Sequence, residues 1–388
     1  MNARRSLLAA IAVVAAVAVP LTASATMNQR KVKVTTTTTT LPSHVDTFSM
    51  SSFNPAAAAP AGAKDLYHCA LIDPHFTEPR YITKSLITPG NSAIVHHSIL
   101  FLVTAAQAST ATAKDNGGQG WTCFGAPLNN NGSFDGTPWL GAGVPGNNGN
   151  PQPAGTGVYV PAGSLLVLQI HYNLLGGSGS DASSVELTTV KASDAGSNLK
   201  TLHIDPLAAP VDLPCPKGTV RNANPALDLC NRNNSLADLN ARFGSGVSGL
   251  ALGLEFLCGH TPPSDDPKKA NTKKVTVTCT EGLSAGVVRS VTPHMHLLGT
   301  SWKASIHTGG KNVAILSVPH YNFDSQTTTV LKKPVTVSSG DTITFSCTFD
   351  PTLRSKISQT KDLPPRYVTW GDGSADEMCM AILGRSNN

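Results

Sequence analysis

The side chains best suited to chemistry are His294-Met295-His296 and, further along, Met378 in Asp376-Glu377-Met378-Cys379. On a strand, side chains alternate between faces, so His294 and His296 point the same way and can share one ion. The Met378 thioether is a soft, weak ligand that favours Cu(I), whereas zinc prefers thiolate, imidazole or carboxylate. Two imidazoles and a thioether therefore suggest a copper site that visits the reduced state. A surface H-x-H beside a core methionine is the plain alternative.

A second histidine set lies upstream. His96-His97 sits in NSAIVHHSILFLV and His171 in LLVLQIHYN, a run of alternating apolar residues expected of a half-buried strand. Three imidazoles would hold copper in either oxidation state. Adjacent histidines on a regular strand point to opposite faces. His96 and His97 can share a metal only at a strand end or bulge, or by using different ring nitrogens. An isolated HH pair is more often structural, but two histidine sets in one exported chain favour a metal. His44, His68, His75, His203, His260 and His307 lack ligand spacing, and His320 in PHYNF reads as a capping or supporting residue.

HHSILF, QIHYN, PHMHLLG and DEMC, in this order, resemble the copper type II, ascorbate-dependent monooxygenases, which include dopamine β-monooxygenase and the peptidylglycine α-hydroxylating monooxygenase. HYNFDSQTTTVLKKPVTVSSGDTITFSCTFD is similar to that family's segment between H-x-H and methionine. The resemblance spans Cys69 to Leu383 and implies a bacterial-type, secreted member. It implies two separated coppers per chain, facing a shared solvent-filled cleft. His96, His97 and His171 would hold the copper that stores and delivers an electron. His294, His296 and Met378 would hold the one that meets O2 and substrate. Ascorbate or a similar one-electron reductant would be the co-substrate, and a C–H bond would be hydroxylated. Gln169, two residues before His171 on the same strand face, is either a supporting partner in the cleft or a solvated strand residue. Where the peptide-amidating branch has an arginine and a tyrosine to grip a carboxylate, this chain has Thr292 and Ile382. A small, largely apolar or aromatic substrate is therefore expected. The rival is a non-catalytic, exported copper-binding or buffering protein on the same scaffold.

The resemblance also bears on the eight cysteines, which by themselves permit 105 pairings. It pairs Cys69 with Cys123 and Cys347 with Cys379, the latter beside Met378. Cys279 matches a family cysteine whose usual partner lies beyond the methionine motif. Cys258 is the expected partner here, which leaves Cys215 with Cys230.

The elements that must position these residues read as all-β. Charge is only 14%, glycine and proline are frequent, and short β-branched runs recur. The expected architecture is two antiparallel β-sandwich (jelly-roll-like) domains side by side. Residues 1–25 form a signal peptide, with Arg4-Arg5, an apolar run and Ala23-Ser24-Ala25 as cleavage site. Residues 26–62 read as a disordered Thr/Ala/Pro-rich stalk, 63–210 as the first domain and 211–388 as the second. Within the second, about 214–273 reads as a disulfide-stapled insertion. Its helical piece Ser235–Phe243 would bury Leu236, Leu239 and Phe243 and use Ser235 as a cap; Leu250–Leu257 follows as an apolar stretch. The long Gly117–Pro153 loop reads as functional or mobile. Losing the leader takes the formal charge from +5 to about +3, too weak and too evenly spread to argue for nucleic acid. The partners expected are a small-molecule substrate and a reductant. No stable membrane span is expected, and the destination is secreted or periplasmic.

Overall fold

In the computed structural model, the described residues are 41–388 without 60–63, 116, 129–136, 145–146, 148, 150–151, 245 and 267–273. The expected leader lies outside them, as do the Thr35–Thr40 run and part of the Gly117–Pro153 loop.

Alternating apolar runs form three main sheets. The five-stranded one runs in the order Trp121–Thr122, Asp65–Ile72, Leu165–Asn173, Val95–Val103, Trp139–Gly143. The four-stranded one runs Val275–Gly282, Thr342–Phe349, Gly299–Thr308, Lys311–Val318. Eight strands make the third: His44–Ser49, Ser184–Lys191, Arg80–Thr88, Thr156–Val160, Lys200–Ala208, Cys379–Ser386, Gly286–Met295, Thr329–Val337. All pairings are antiparallel except the short one between Thr156–Val160 and Lys200–Ala208. The class is the all-β sandwich that composition suggests. The longest sheet runs on through both halves of the chain, and residues 41–388 form one compact unit.

Strand periodicity assigns the two faces of the five-stranded sheet. Leu66, Leu100, Leu102, Leu168 and Ile170 pack with Ile82, Val158 and Leu187 of the long sheet in one core. Tyr67, Ile99, Phe101 and Val167 face the other way, into the core shared with Trp302, Phe345 and Met380. The middle sheet is thus buried on both sides, which is why its strands read as nearly continuous apolar runs.

Two expectations need correcting. The stalk reading fails over residues 44–49, because His44–Ser49 pairs along its whole length with Ser184–Lys191. Its polar sequence suits an edge strand, which needs no second buried face. Ser235 is not a cap: the helix is Arg232–Phe243, and the Asn231 side chain caps it by accepting from the Asn234 N–H. Ser235 is buried in the first turn, where its hydroxyl donates to the Tyr367 carbonyl. The apolar stretch after it is the helix Val247–Cys258. Leu236 and Leu239, with Val247, Ala251 and Leu254 of that second helix, join the larger core.

The bridges are Cys69–Cys123, Cys215–Cys230, Cys258–Cys279 and Cys347–Cys379. Cys258–Cys279 ties the end of the second helix to the four-stranded sheet, and Cys347–Cys379 joins that sheet to the long one. Cys347 and Cys379 are 32 residues apart, so in the chain-entropy picture their bridge contributes about 3–4 kcal/mol. Replacing both by alanine should lower the urea-unfolding free energy by about that much. A loss below about 1 kcal/mol would show that this link does not brace the sheets.

Candidate metal centre

The strand Val95–Val103 pairs with Leu165–Asn173 in a register that shifts between Val95 and His97, leaving His96 as the extra residue of a β-bulge. That bulge lets both neighbours turn to one side. The Nδ1 atoms of His96, His97 and His171 converge, at 3.0 Å from His96 to His171, 3.2 Å from His97 to His96 and 3.4 Å from His171 to His97. His171 Nε2 lies 3.0 Å from Asp65 Oδ1, which in turn accepts from the Ser374 N–H and hydroxyl. An Nε2–H donated to Asp65 leaves the His171 Nδ1 lone pair facing the other two rings. Burial alone would raise the Asp65 carboxyl; its contact with His171 and the Ser374 N–H outweigh that and lower the pKa. Tyr67 stacks flat on His171, with centroids 4.2 Å apart.

His294 is the last residue but one of the strand Gly286–Met295, and His296 follows it just before the turn at Leu297–Leu298. Their Nδ1 atoms are taken: that of His294 lies 2.6 Å from Gln326 Oε1 and that of His296 lies 3.1 Å from the Asp376 carbonyl. Donation from both Nδ1–H groups leaves both Nε2 lone pairs for a metal. His296 Nε2 is buried and has no partner among the described residues. Met378 is buried and lines a cavity of about 40 Å³ together with His97 and His294. Burial pulls His294 down to about 4 and His296 to about 3, and holds His96 and His97 well below the ordinary imidazole range. Neutral imidazoles with inward lone pairs are what a metal requires. Three nitrogens on one side, two nitrogens and a nearby thioether on the other, suit copper in both oxidation states.

The two sets are not separated by open solvent, as the sequence suggests. The His96 ring lies 5.5 Å from that of His296, His97 lies 6.4 Å from His294, and Phe323 stacks on His96 at 5.2 Å. The histidine rings of both sets, His96, His97, His171, His294 and His296, are all buried. Packing of the middle sheet against the second half of the chain closes the expected cleft.

Residues 256–383 match the family described as copper type II ascorbate-dependent monooxygenase, C-terminal domain. The match covers 128 of the 388 residues, and that part of the chain is similar to the family's C-terminal domain. Solved structures give looser likenesses. The VP54 protein of PBCV-1 aligns at 7% identity over 89% of this chain and 94% of that one, with a TM-score of 0.28. A Paenibacillus xanthan lyase aligns at 11% identity over 89% of this chain and 26% of that one, with a TM-score of 0.19. Neither carries an argument about fold or function.

Around this centre, the candidate ligand positions are held by residues that spacing alone did not single out. Glu377 accepts the backbone N–H groups of His296, Leu298 and Met378, tying the H-x-H turn to the methionine segment. The Tyr321 hydroxyl accepts from the Met295 N–H and donates to its carbonyl, fixing the backbone between the two histidines. Its neighbour His320 is exposed. Arg242, on the first inserted helix, holds Asp376 with both guanidinium ends at 2.8 Å. Gly373 permits that approach, since a Cβ there would stand 2.8 Å from Arg242 Nη1. The insertion therefore reaches the backbone that supports His296. Gln169 is buried and donates to the Gly125 carbonyl, beside the Cys69–Cys123 bridge. Thr292 hydrogen-bonds Thr328, and Ile382 lines the small cavity. The acidic pair in DEMC was a visible signal for Glu377; nothing local marks Gln326, thirty-two residues from its histidine.

Buried titratable groups set a pH optimum for the metal-free protein. His68, His96, His97, His294 and His296 have folded pKa values depressed by burial below 6.5. Folded, they bind fewer protons than unfolded, so their contribution grows as pH rises to about 6.5. Burial acts oppositely on Asp372 and Glu377, raised to about 8, and on Glu281, raised to about 7. These acids keep protons that the unfolded chain loses near pH 4, so stability falls as pH rises towards 8. The histidines outnumber the acids below about pH 6.5, and the acids act alone above it. Thermal midpoints scanned from pH 5 to 8.5 should therefore peak near 6.5. A monotonic rise across that range would contradict this balance.

Proposed function

We propose that this chain is a copper-dependent monooxygenase that hydroxylates a C–H bond of a small, largely apolar or aromatic molecule, using O2 and an ascorbate-like reductant. The observation that supports it best is the pair of imidazole sets with inward lone pairs, sharing one buried region with Met378. His96, His97 and His171 would hold the copper that takes up an electron, and His294, His296 and Met378 the one that meets O2 and substrate. Copper bound there would supply one-electron redox chemistry and oxygen activation.

The chain's own residues orient and exclude. Gln326, Asp65 and the Asp376 carbonyl fix ring tautomers, and each such bond lost typically weakens metal affinity 10–100-fold. Ile99, Trp139, Met380 and Ile382 give the cavity an apolar wall. Asp372 also lines it; its Oδ2 has no partner among the described residues, and burial raises its pKa to about 8. Mostly protonated at neutral pH, it offers a substrate one hydrogen-bond donor in an otherwise greasy site. At about 40 Å³ the cavity admits a few waters at most, so the wall must move for a substrate to enter. Four disulfides suit an oxidising compartment, consistent with a secreted or periplasmic protein. Among the described residues no helix is long and apolar enough to cross a membrane.

Metal analysis with oxygen uptake separates this reading from that of a copper buffer. The enzyme should bind two coppers and consume O2 only with ascorbate and substrate. Copper binding without turnover would favour the buffer. Met378→Ala should abolish hydroxylation and weaken Cu(I) binding at one site only, because the other has no thioether. Loss of both coppers on that single change would show that the sites are not built as proposed.

Thr292 and Ile382 cannot pair with a carboxylate, so substrate binding should depend on apolar burial. Each methylene removed should raise KM about fourfold, from roughly 0.8 kcal/mol of burial. KM should barely change between low and moderate salt, since an ionic grip would be screened within about 8 Å at physiological salt. Strong salt dependence, or efficient turnover of glycine-extended peptides, would reveal a carboxylate clamp elsewhere.

A further inference from the structure

A second, larger cavity, of about 490 Å³, shares no lining residue with the small one. Its lining includes Leu298, two residues past His296, and the charged residues of that lining are wholly basic: Lys217, Arg354, Lys361 and Arg366. Arg366 is matched by Asp238 at 2.7 Å. Arg354 is not matched. It is 9% exposed, makes no ion pair among the described residues, and its Nε is buried without a partner. Its Nη atoms donate only to the carbonyls of Ala375 and Pro364. Burial, with the neighbouring Arg366 second, pulls its pKa down to about 10, so it stays charged. Lys217 and Lys361 stand exposed at the rim.

Asp376 acts on Arg354 without pairing with it directly, and a buried guanidinium with no directly bound counter-charge is costly; the planar fork of arginine matches planar oxyanions such as a carboxylate. We infer that this pocket binds a small organic anion, a carboxylate or enolate, which Arg354 grips from below and Lys217 and Lys361 from the rim. The volume suits a ring-sized molecule and the lysines suit an anion arriving from solvent. The Arg354 bond to the Ala375 carbonyl places the site three residues from Met378 in sequence. Two sources share this chemistry: the enolate reductant itself, or a free carboxylate.

The test is calorimetry on the full chain, stripped of metal so that copper reduction adds no heat and the outcome does not depend on turnover. Sodium ascorbate (under anaerobic conditions) and sodium benzoate are the two anions, with benzamide as the neutral control. One-site, saturable binding of either anion is expected. Ascorbate alone would mark a reductant seat, and benzoate a carboxylate seat. Lys217→Glu/Lys361→Glu, confined to exposed side chains, should weaken it at least tenfold with an unchanged thermal midpoint. Arg354→Gln should abolish it. No saturable binding of either anion, equal binding of benzamide, or wild-type affinity in both variants would overturn the assignment.

Discussion

The antiparallel ladder between Gly286–Met295 and Cys379–Ser386 is the contact on which the rest of the centre depends. It sets His294 opposite Met380 and Met295 opposite Cys379, so residues more than eighty positions apart become neighbours. Everything near Met378 is anchored to that register. The Cys347–Cys379 bridge pins the strand start from behind, and Trp302 donates its indole N–H to the Met380 carbonyl. Glu377 then gathers the turn after His296 to the same backbone. A one-residue slip would turn the whole ligand face into the core, which is why so many separate contacts fix this register.

Holding the imidazoles neutral in a buried cluster has an electrostatic consequence around them. The nearby carboxylates are treated in two ways. Burial alone would raise Asp376, but the charges of Arg242 and Arg366 outweigh it, and the acid stays ionised. Asp372 and Glu377 have no such cation, and burial raises both. One buried anion is thus supported by the insertion while its neighbours are left neutral. The inserted helices do more than cover an edge: Phe243 stacks on Phe124 at 4.9 Å and meets Tyr67, which lies flat on His171. Both histidine sets are supported from the same helix end.

How much of this was legible in the sequence depends on the range of each signal. H-x-H on a strand is a local pattern, and His294 and His296 do face one region, their ring centroids 5.3 Å apart. The HH pair needed a strand end, a bulge or mixed ring nitrogens; the structure supplies the bulge, with all three contacts made by Nδ1. Cys69–Cys123 and Cys347–Cys379 are the pairings that the family resemblance implied, and Cys258–Cys279 and Cys215–Cys230 are those expected where the chain departs from the family. What stayed hidden depended on tertiary pairing. Lys200–Ala208 carries Pro206 and scattered polar residues, yet it is a strand because Cys379–Ser386 pairs along it. Gln326, Asp65 and Arg242 serve rings or backbone far away in sequence, so no spacing rule could mark them. The closure of the two histidine sets onto each other is likewise a packing outcome.

That closure constrains how any small molecule could reach Met378. The long sheet runs unbroken through both halves, with Lys200–Ala208 hydrogen-bonded along Cys379–Ser386. A hinge at this join would break the ladder of seven residue pairs between Lys200–Ala208 and Cys379–Ser386. Opening is cheaper where the cavity wall is loop. Gly125 and Val144 line it without belonging to any strand, and Gly125 sits at φ 67°, a conformation that other residues rarely adopt. Gln169 donates to the Gly125 carbonyl, so the supporting role that the sequence left open for this residue falls on the loop rather than on a histidine. A wall held by a side-chain hydrogen bond and an adjacent disulfide can yield locally while the ligand-bearing strands stay in register. Under the proposed function, access and ligation would fall to different parts of the fold, and the ladder between Gly286–Met295 and Cys379–Ser386 would keep the candidate ligands from moving when the wall does.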